Sequence, residues 1–415
     1  MRIYFSGIGG VGIGPLARIA HDAGYHVLGS DAIRSRMADE IESLNIPISY
    51  DQSGNFLQSS HEQSAIDWFV YTAALSDDHP ELIKAQELGI KVSKRDELLA
   101  RIINEKNLKL IAVAGTHGKT TTTGMLIWTL MQLGLPISYS IGTTLSWGPS
   151  GHYDPKSDYF IYECDEFDRN FLHFTPHLSL ITSIEYDHPD TYPTEEEYQS
   201  AFRQFTYESN MVILWQEDAD YIKSYYSSAW SLQDNETLRI TLTGAHNRRN
   251  GTLVLKALER LAIGEHSKNK KLLEQFPGSD RRFEKLADNL YTDYGHTPTE
   301  IKATLQLARE LSDEVILVYQ PHQNIRQHEI HDQYTNVIFQ NADRIYWLPT
   351  YQSREDPILP LLTPEELTSN LANVHISNLD DSLWSEIQHH REIGHLVLCM
   401  GAGSIDGWVR NKLIK

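Results

Sequence analysis

Cysteine is nearly missing from this chain: Cys164 and Cys399 are the two in 415 residues. Each sits in an apolar, strand-like run, which favours buried structural thiols over a disulfide or a thiolate metal site and suits a reducing compartment. Positive charge is also short. Lys and Arg total 36 against 56 Asp and Glu, a net charge of −20. The basic stripe that general nucleic-acid binding requires is therefore not to be expected, and anionic membrane surfaces are disfavoured. No apolar run reaches the length of a membrane-crossing helix. Met1 leads at once into a strand and a glycine turn rather than a secretory leader. Low-complexity tracts, heptad runs and solenoid periods are lacking. What remains is ordinary globular composition, 40% hydrophobic and 22% charged, in a chain long for one core. We expect a cytoplasmic protein of two or three domains, a monomer or weak homodimer, with neither nucleic-acid nor membrane partners.

The most informative stretch is Gly115-Thr116-His117-Gly118-Lys119-Thr120-Thr121. The apolar run Leu110 to Ala114 precedes it, and Met125, Leu126, Ile127, Trp128 and Leu130 follow at helical spacing. Strand, glycine loop and helix together hold a nucleotide triphosphate. Backbone N–H groups and the helix N-terminus surround the phosphates, Lys119 reaches the outer ones, and Thr120 can take Mg²⁺. Val113 stands where the full pattern G-x-x-x-x-G-K-[ST] has its first glycine, so the loop is a shortened variant. A glycine-rich turn with a surface lysine is the plain alternative. We expect ATP and Mg²⁺ as cofactors.

Three blocks follow one another in an α/β fold. Residues 1–107 open with Ile3-Tyr-Phe-Ser, the turn Gly7-Ile-Gly9-Gly10-Val11-Gly12, a helical run and a second strand closed by Asp31. That is the order of a Rossmann unit, with the acid near its ribose-binding place. A further strand runs from Trp68 through Thr72 to Ala73 and Ala74. Residues 108–275 carry the phosphate loop and two apolar runs ending in acids, Glu163-Cys-Asp165-Glu166 and Glu185-Tyr-Asp187-His188. Ligands gather beyond the carboxyl ends of parallel strands, and acids beside a triphosphate hold Mg²⁺. Residues 276–415 repeat the α/β rhythm, with loops dense in His, Arg and Asp.

Taken together these motifs resemble the Mur ligase family, ATP-dependent amide-forming enzymes of peptidoglycan synthesis, over nearly the whole chain and in the family's order. Ala114 to Thr121 is similar to the family phosphate loop, which accounts for the absent glycine. Glu163 to Glu166 resembles the acidic strand end that holds Mg²⁺, and Asp187-His188-Pro-Asp190 the D-H-x-D segment, whose histidine is a second metal ligand. Gly244 to Asn250 resembles the H-N-x-x-N element, placing Asn247 and Asn250 near adenine. Arg281 belongs to the stretch that opens the third domain, and Asp293-Tyr294-Gly-His296 to the nucleotide-facing D-Y-[AG]-H motif. The resemblance implies a Rossmann-like domain binding a UDP-sugar, a central ATP-binding domain and a Rossmann-like C-terminal domain that brings an amine.

Within the family, the glycine-rich start and Ser30-Asp31 resemble members that hold UDP-N-acetylmuramate, at Gly9, Gly10, Val11, Gly12, Asp31 and Thr72. Gln320-Pro-His322 resembles members that add L-alanine, whereas Glu166-Phe-Asp168 leans toward recycling relatives that attach a preformed tripeptide. The expected substrates are UDP-N-acetylmuramate and L-alanine. Lys119 and His188 would serve the phosphoryl transfer, and His322 and Arg326 would orient the amine. Gln323 replaces the basic residue usual after Gln-Pro-His, which leaves Arg326 alone for the carboxylate. Several family members carry a carbamylated lysine after D-H-x-D, but Asp190 to Tyr207 contains no lysine. Outside this resemblance, the first block alone would suit an NAD(P)-dependent oxidoreductase, and the second a nucleotide-gated binding protein.

Overall fold

The computed structural model describes residues 1–72, 75–225, 229–353, 355 and 358–414. Ala73 and Ala74, read above as the end of a strand, lie outside the described residues. Those described form two compact units, Met1–Thr237 with Asn250–Phe276, and Leu238–Arg249 with Pro277–Lys415.

The first unit holds two sheets. One is parallel, in the spatial order Ile48–Ser49, His26–Ser30, Arg2–Ser6, Trp68–Tyr71 and Lys91–Lys94. Chain order reverses on either side of Arg2–Ser6, so the crevice beyond its carboxyl end is where ligands bind such sheets. The glycine turn leaves from that end.

The second sheet runs Ala229–Leu232, Val212–Trp215, Leu178–Ile181, Lys109–Ala114, Tyr159–Glu163, Ser138–Ser140 and Gly151–His152. Only its last pair is antiparallel among the described residues. Lys109–Ala114 lies between Leu178–Ile181 and Tyr159–Glu163, so the phosphate loop emerges between the two strands that lead into acids.

One apolar core serves both sheets. Helix Arg95–Glu105 buries Leu98, Leu99, Ile102 and Ile103 in the same cluster as Leu110, Phe160 and Tyr162. That i, i+1, i+4, i+5 spacing makes a single apolar stripe along the helix.

The third sheet belongs to the second unit, in the order Glu284–Ala287, Leu290–Asp293, Leu396–Met400, Val315–Tyr319, Arg344–Trp347 and Val374–Ile376. Its first pair is an antiparallel hairpin and the rest are parallel. Val315, Leu317 and Tyr319 enter one core and Ile316 and Val318 another. Burial on both faces explains an unbroken apolar strand where an alternating one would leave a face wet.

Candidate functional site

The phosphate loop is built by close backbone approach. Gly115 has φ +128°, and a Cβ there would stand 2.5 Å from Thr182 Oγ1 and 2.7 Å from the Ser183 carbonyl; glycine is required both by conformation and by space. Thr116 donates its N–H to the Ser183 carbonyl at 2.8 Å and its hydroxyl to the Glu185 carbonyl at 2.8 Å. His117 Nε2 lies 3.1 Å from Glu185 Oε2. The helix Lys119–Gln132 starts at Gly118, with Thr120 buried and Thr121 half-buried in its first turn. The Asn250 amide packs over Gly118, its Oδ1 3.0 Å from where a Cβ would be.

Three acids and a histidine converge beside this helix N-terminus. Lys119 Nζ donates to both oxygens of Glu166, at 2.9 and 2.7 Å, and to the Gly115 carbonyl at 2.6 Å. Burial opposes charge on Lys119, yet Glu166, Asp165 and Glu163 outweigh it and hold the ammonium above its ordinary range. Burial likewise opposes charge on Glu166, and Lys119 and His188 hold it below the usual carboxylate range. Thr120 donates its hydroxyl to Glu163 Oε1 at 2.6 Å, and the Gly142 N–H binds the other oxygen at 2.7 Å. His188 Nε2 lies 3.7 Å from Glu166 Oε1 and 3.8 Å from Asp187 Oδ2. Burial disfavours the imidazolium, but Glu166 and Asp187 raise it above its ordinary value. Asp190 instead accepts from the Thr191 N–H.

Thr120 and Glu163 offer hard oxygen donors at one point, as Mg²⁺ prefers. Among the described residues no group of three or more His, Cys, Asp and Glu could hold a metal. A cation here would need oxygens from nucleotide and water as well, the usual Mg²⁺ arrangement at triphosphates. His188 sits with Glu166 rather than with Glu163, so the expected metal residues divide into two neighbouring groups.

At the glycine turn, the Gly9 N–H donates to Asp31 Oδ2 at 2.8 Å and its carbonyl accepts from Ser35 Oγ at 2.8 Å. A Cβ on Gly9 would come within 2.9 Å of Ser35 Oγ. Asp31 Oδ1 takes the Ile33 N–H at 3.1 Å. The expected ribose acceptor is therefore also a brace of the turn itself. Gly10 and Val11 form the exposed tip, Val11 being 59% accessible. Thr72 stands at the base, donating its N–H to the Ser6 carbonyl at 3.3 Å.

In the second unit, Asp293 accepts from the N–H groups of Gly295 at 2.7 Å and Phe283 at 2.8 Å. Burial pushes its carboxyl up to about 6, against the pull of Arg282 and those donors. The Tyr294 ring carries the Arg281 guanidinium at 4.6 Å and that of Arg282 at 5.0 Å. His296 lies edge-on to Tyr294 and to His322, and His322 stacks on Tyr351 at 5.7 Å and 9°. Burial, then His296 and Arg326, push the His322 imidazole down to about 4. Gln323 adopts φ +60°, and its N–H donates to the Tyr351 carbonyl at 2.8 Å. Arg326 follows on helix Asn324–Ile330, half-buried. Asn247 donates its amide to the Thr243 carbonyl at 2.9 Å.

Sequence reasoning placed Glu166 in the acidic strand end without assigning it a contact of its own, and it did not reach Tyr351, which meets His322 only through the fold.

Residues 2–107 match the family described as "Mur ligase family, catalytic domain", residues 113–254 "Mur ligase middle domain", and residues 281–403 "Mur ligase, glutamate ligase domain". A UDP-N-acetylmuramate–L-alanine ligase of Carboxydothermus hydrogenoformans is 31% identical, over 98% of this chain and 95% of its own. Among solved structures, the UDP-N-acetylmuramate–alanine ligase of Thermotoga maritima is similar with TM-score 0.78 and 24% identity, covering 100% of this chain and 98% of that one. A murein peptide ligase of Psychrobacter arcticus gives TM-score 0.68 and 22% identity over 100% and 98% of the two chains. At these identities both structures speak for the fold.

Proposed function

We propose that this chain, which belongs to the Mur ligase family, joins L-alanine to the lactyl carboxylate of UDP-N-acetylmuramate at the expense of ATP. A carboxylate is a poor acyl donor. Its oxygen therefore attacks the γ-phosphorus of ATP, ADP leaves, and an acyl phosphate forms. The alanine nitrogen attacks the acyl carbon, the tetrahedral adduct collapses, and inorganic phosphate departs as the amide forms. In-line transfer of this kind depends on positioning and charge neutralisation more than on covalent catalysis.

The observation that carries the reading is the convergence of Lys119, Thr120, Glu163, Glu166 and His188 beyond three adjacent strand ends. Lys119 suits the γ-phosphoryl oxygens, where a fixed cation counters developing charge. Mg²⁺ bound to Thr120 and Glu163 would add Lewis-acid stabilisation at the same oxygens. Asn250, packed on Gly118, suits a nucleotide contact, as do Arg281, Asp293, Tyr294 and His296 within their own unit. His322, neutral by virtue of burial, and Arg326 suit the amine and carboxylate of alanine; a guanidinium fork matches a carboxylate well. Exclusion of water protects the acyl phosphate from hydrolysis. Use of ATP and a UDP-sugar fits a reaction in the cytoplasm. Among the described residues no helix is long and apolar enough to cross a membrane.

Phosphate release with ATP, Mg²⁺ and UDP-N-acetylmuramate, scanned over amines, tests the reading. Release that requires both the sugar nucleotide and L-alanine is expected. Efficient ligation of a tripeptide beginning in L-alanine, with little on free alanine, would replace the amine. Hydrolysis indifferent to the sugar nucleotide would replace the ligase with a nucleotide-gated binding protein.

A further inference from the structure

One side chain ties the glycine turn of the first sheet to the acidic loop of the second, and it belongs to neither motif. Arg95 opens helix Arg95–Glu105. Its Nη1 lies against the turn, 3.3 Å from where a Cβ on Gly12 would stand. Its Nη2 lies 3.6 Å from Asp165 Oδ2, and its Nε 3.3 Å from Asp96 Oδ2. Asp96 is itself buried and accepts from the Tyr162 hydroxyl at 2.6 Å, which anchors the guanidinium from below. The Arg95 side chain nevertheless keeps 31% of its surface accessible.

The turn needs a cation more than a bare glycine loop does. Backbone N–H groups and a helix dipole give an anion site only a partial positive charge. Here the Gly9 N–H is taken by Asp31, whose carboxylate adds a negative charge where a diphosphate would lie. Arg34 pairs with Asp39 and Glu42, Arg36 with Glu40 and Lys94 with Asp168; Arg95 is paired as well, with Asp96 and Asp165, but its Nη1 faces the turn. Arg95 is the guanidinium in contact with the turn, and its fork can bind two oxygens at once.

We propose that Arg95 binds the diphosphate of the sugar nucleotide against the Gly9–Gly12 turn, and that its ion pair with Asp165 links that clamp to the acidic loop beside Lys119. The assignment rests on the ligase reading for the identity of the ligand. It makes Arg95 a substrate-binding residue contributed by the last helix of the first domain.

The test is the affinity of the full-length chain for UDP, which has the diphosphate and lacks the lactyl carboxylate, measured by calorimetry alongside ATP and UDP-N-acetylmuramate. Arg95→Gln is expected to weaken UDP and UDP-N-acetylmuramate alike by about tenfold or more, the size of a lost charged hydrogen bond, and to leave ATP affinity unchanged. Arg95→Lys, which keeps the charge without the fork, is expected to fall between; should the glutamine variant not fold, a loss of roughly threefold or more in the lysine variant carries the same test. Unchanged UDP affinity in the folded variant, even with a lowered melting temperature, overturns the clamp and makes Arg95 a structural strut. Weakening confined to UDP-N-acetylmuramate overturns it too, moving Arg95 to the lactyl carboxylate. Wild-type binding of UDP that Arg95→Gln weakens, together with no phosphate release from ATP in the presence of UDP-N-acetylmuramate and any amine, would sink the ligase reading and leave the clamp standing. A clamp failure beside normal ligation would do the reverse.

Discussion

Lys119 Nζ and the Glu166 carboxylate form a two-pronged pair, at 2.7 and 2.9 Å, in which the acid is 1% exposed. A buried pair of this kind is costly to break, because the surviving partner keeps its desolvation penalty without its counter-charge. The ammonium that would meet a γ-phosphate is thus already held in place by an acid and by loop carbonyls. Nucleotide phosphate would enter as a third party to that arrangement.

Lys119→Ala is therefore expected to do two separable things. Turnover should fall about 10²- to 10³-fold, as for loss of a group aimed at transition-state charge. Stability should also fall, because Glu166 loses its main cation. Adding Glu166→Gln should recover much of the stability and none of the turnover. Chemical denaturation and a phosphate-release assay on both variants check this. Near-normal turnover in a folded Lys119→Ala chain would remove the loop from the chemistry.

Asp293 carries a pH signature. Its carboxyl is pushed up by burial to about 6 from 3.8, so the folded state binds a proton more tightly than the unfolded chain. The cost of ionising it is absent below about pH 4, grows through the interval up to about 6, and is complete above. A shift of about two units corresponds to roughly 3 kcal/mol at most. The stability of wild type relative to Asp293→Asn is expected to decline from pH 4 to pH 7. A pH-independent difference between them would place the Asp293 pKa near that of an ordinary carboxylate.

For the amine, Arg326→Ala is expected to raise the KM for L-alanine about ten- to a hundredfold, the range of a charged hydrogen bond, with the KM for ATP nearly unchanged. His322, pushed down to about 4, stays neutral through the physiological range. The pH profile of kcat/KM for alanine should then show no inflection near 6.5 that His322→Gln removes. Equal rises in the KM values for alanine and ATP would take Arg326 away from the amine.

Activity is expected to be indifferent to added bicarbonate. The segment Asp190 to Tyr207 has no lysine to carbamylate. Its acids Glu195, Glu196 and Glu197 are turned to Tyr221, Arg203 and Arg169 respectively. Stimulation by bicarbonate, or a carbamylated lysine found by mass spectrometry, would show that another part of the chain supplies the extra carboxylate.

Local order carried much of this protein in the sequence. Glycine turns, the Lys119-Thr120 pair at a helix start, and acids closing the Tyr159–Glu163 strand are legible because each depends on residues within one turn or one strand end. The parallel sheets were legible for a similar reason, since strands buried on both faces read as unbroken apolar runs such as Val315 to Tyr319. Helix Pro298–Leu311 was legible in its amphipathic spacing and in Pro298 at its first turn; the reciprocal capping contacts of Thr297 and Glu300 emerged with the structure.

Contacts between distant segments were not legible. Glu166 meets Lys119 from 47 residues away, Asn250 lies over Gly118, and Tyr351 stacks on His322, with Gly403 leaving room beside its ring. Asp31 closes back on Gly9, which the Rossmann pattern does not foretell. Arg95 acquires its place only because helix Arg95–Glu105 packs into the core common to the first two sheets. The sequence by itself determined which groups can hold phosphate, metal and carboxylate, because those capacities reside in residue type and local backbone. Tertiary structure alone decided which charges face one another, because pairing depends on the distances that strand order and a common core impose.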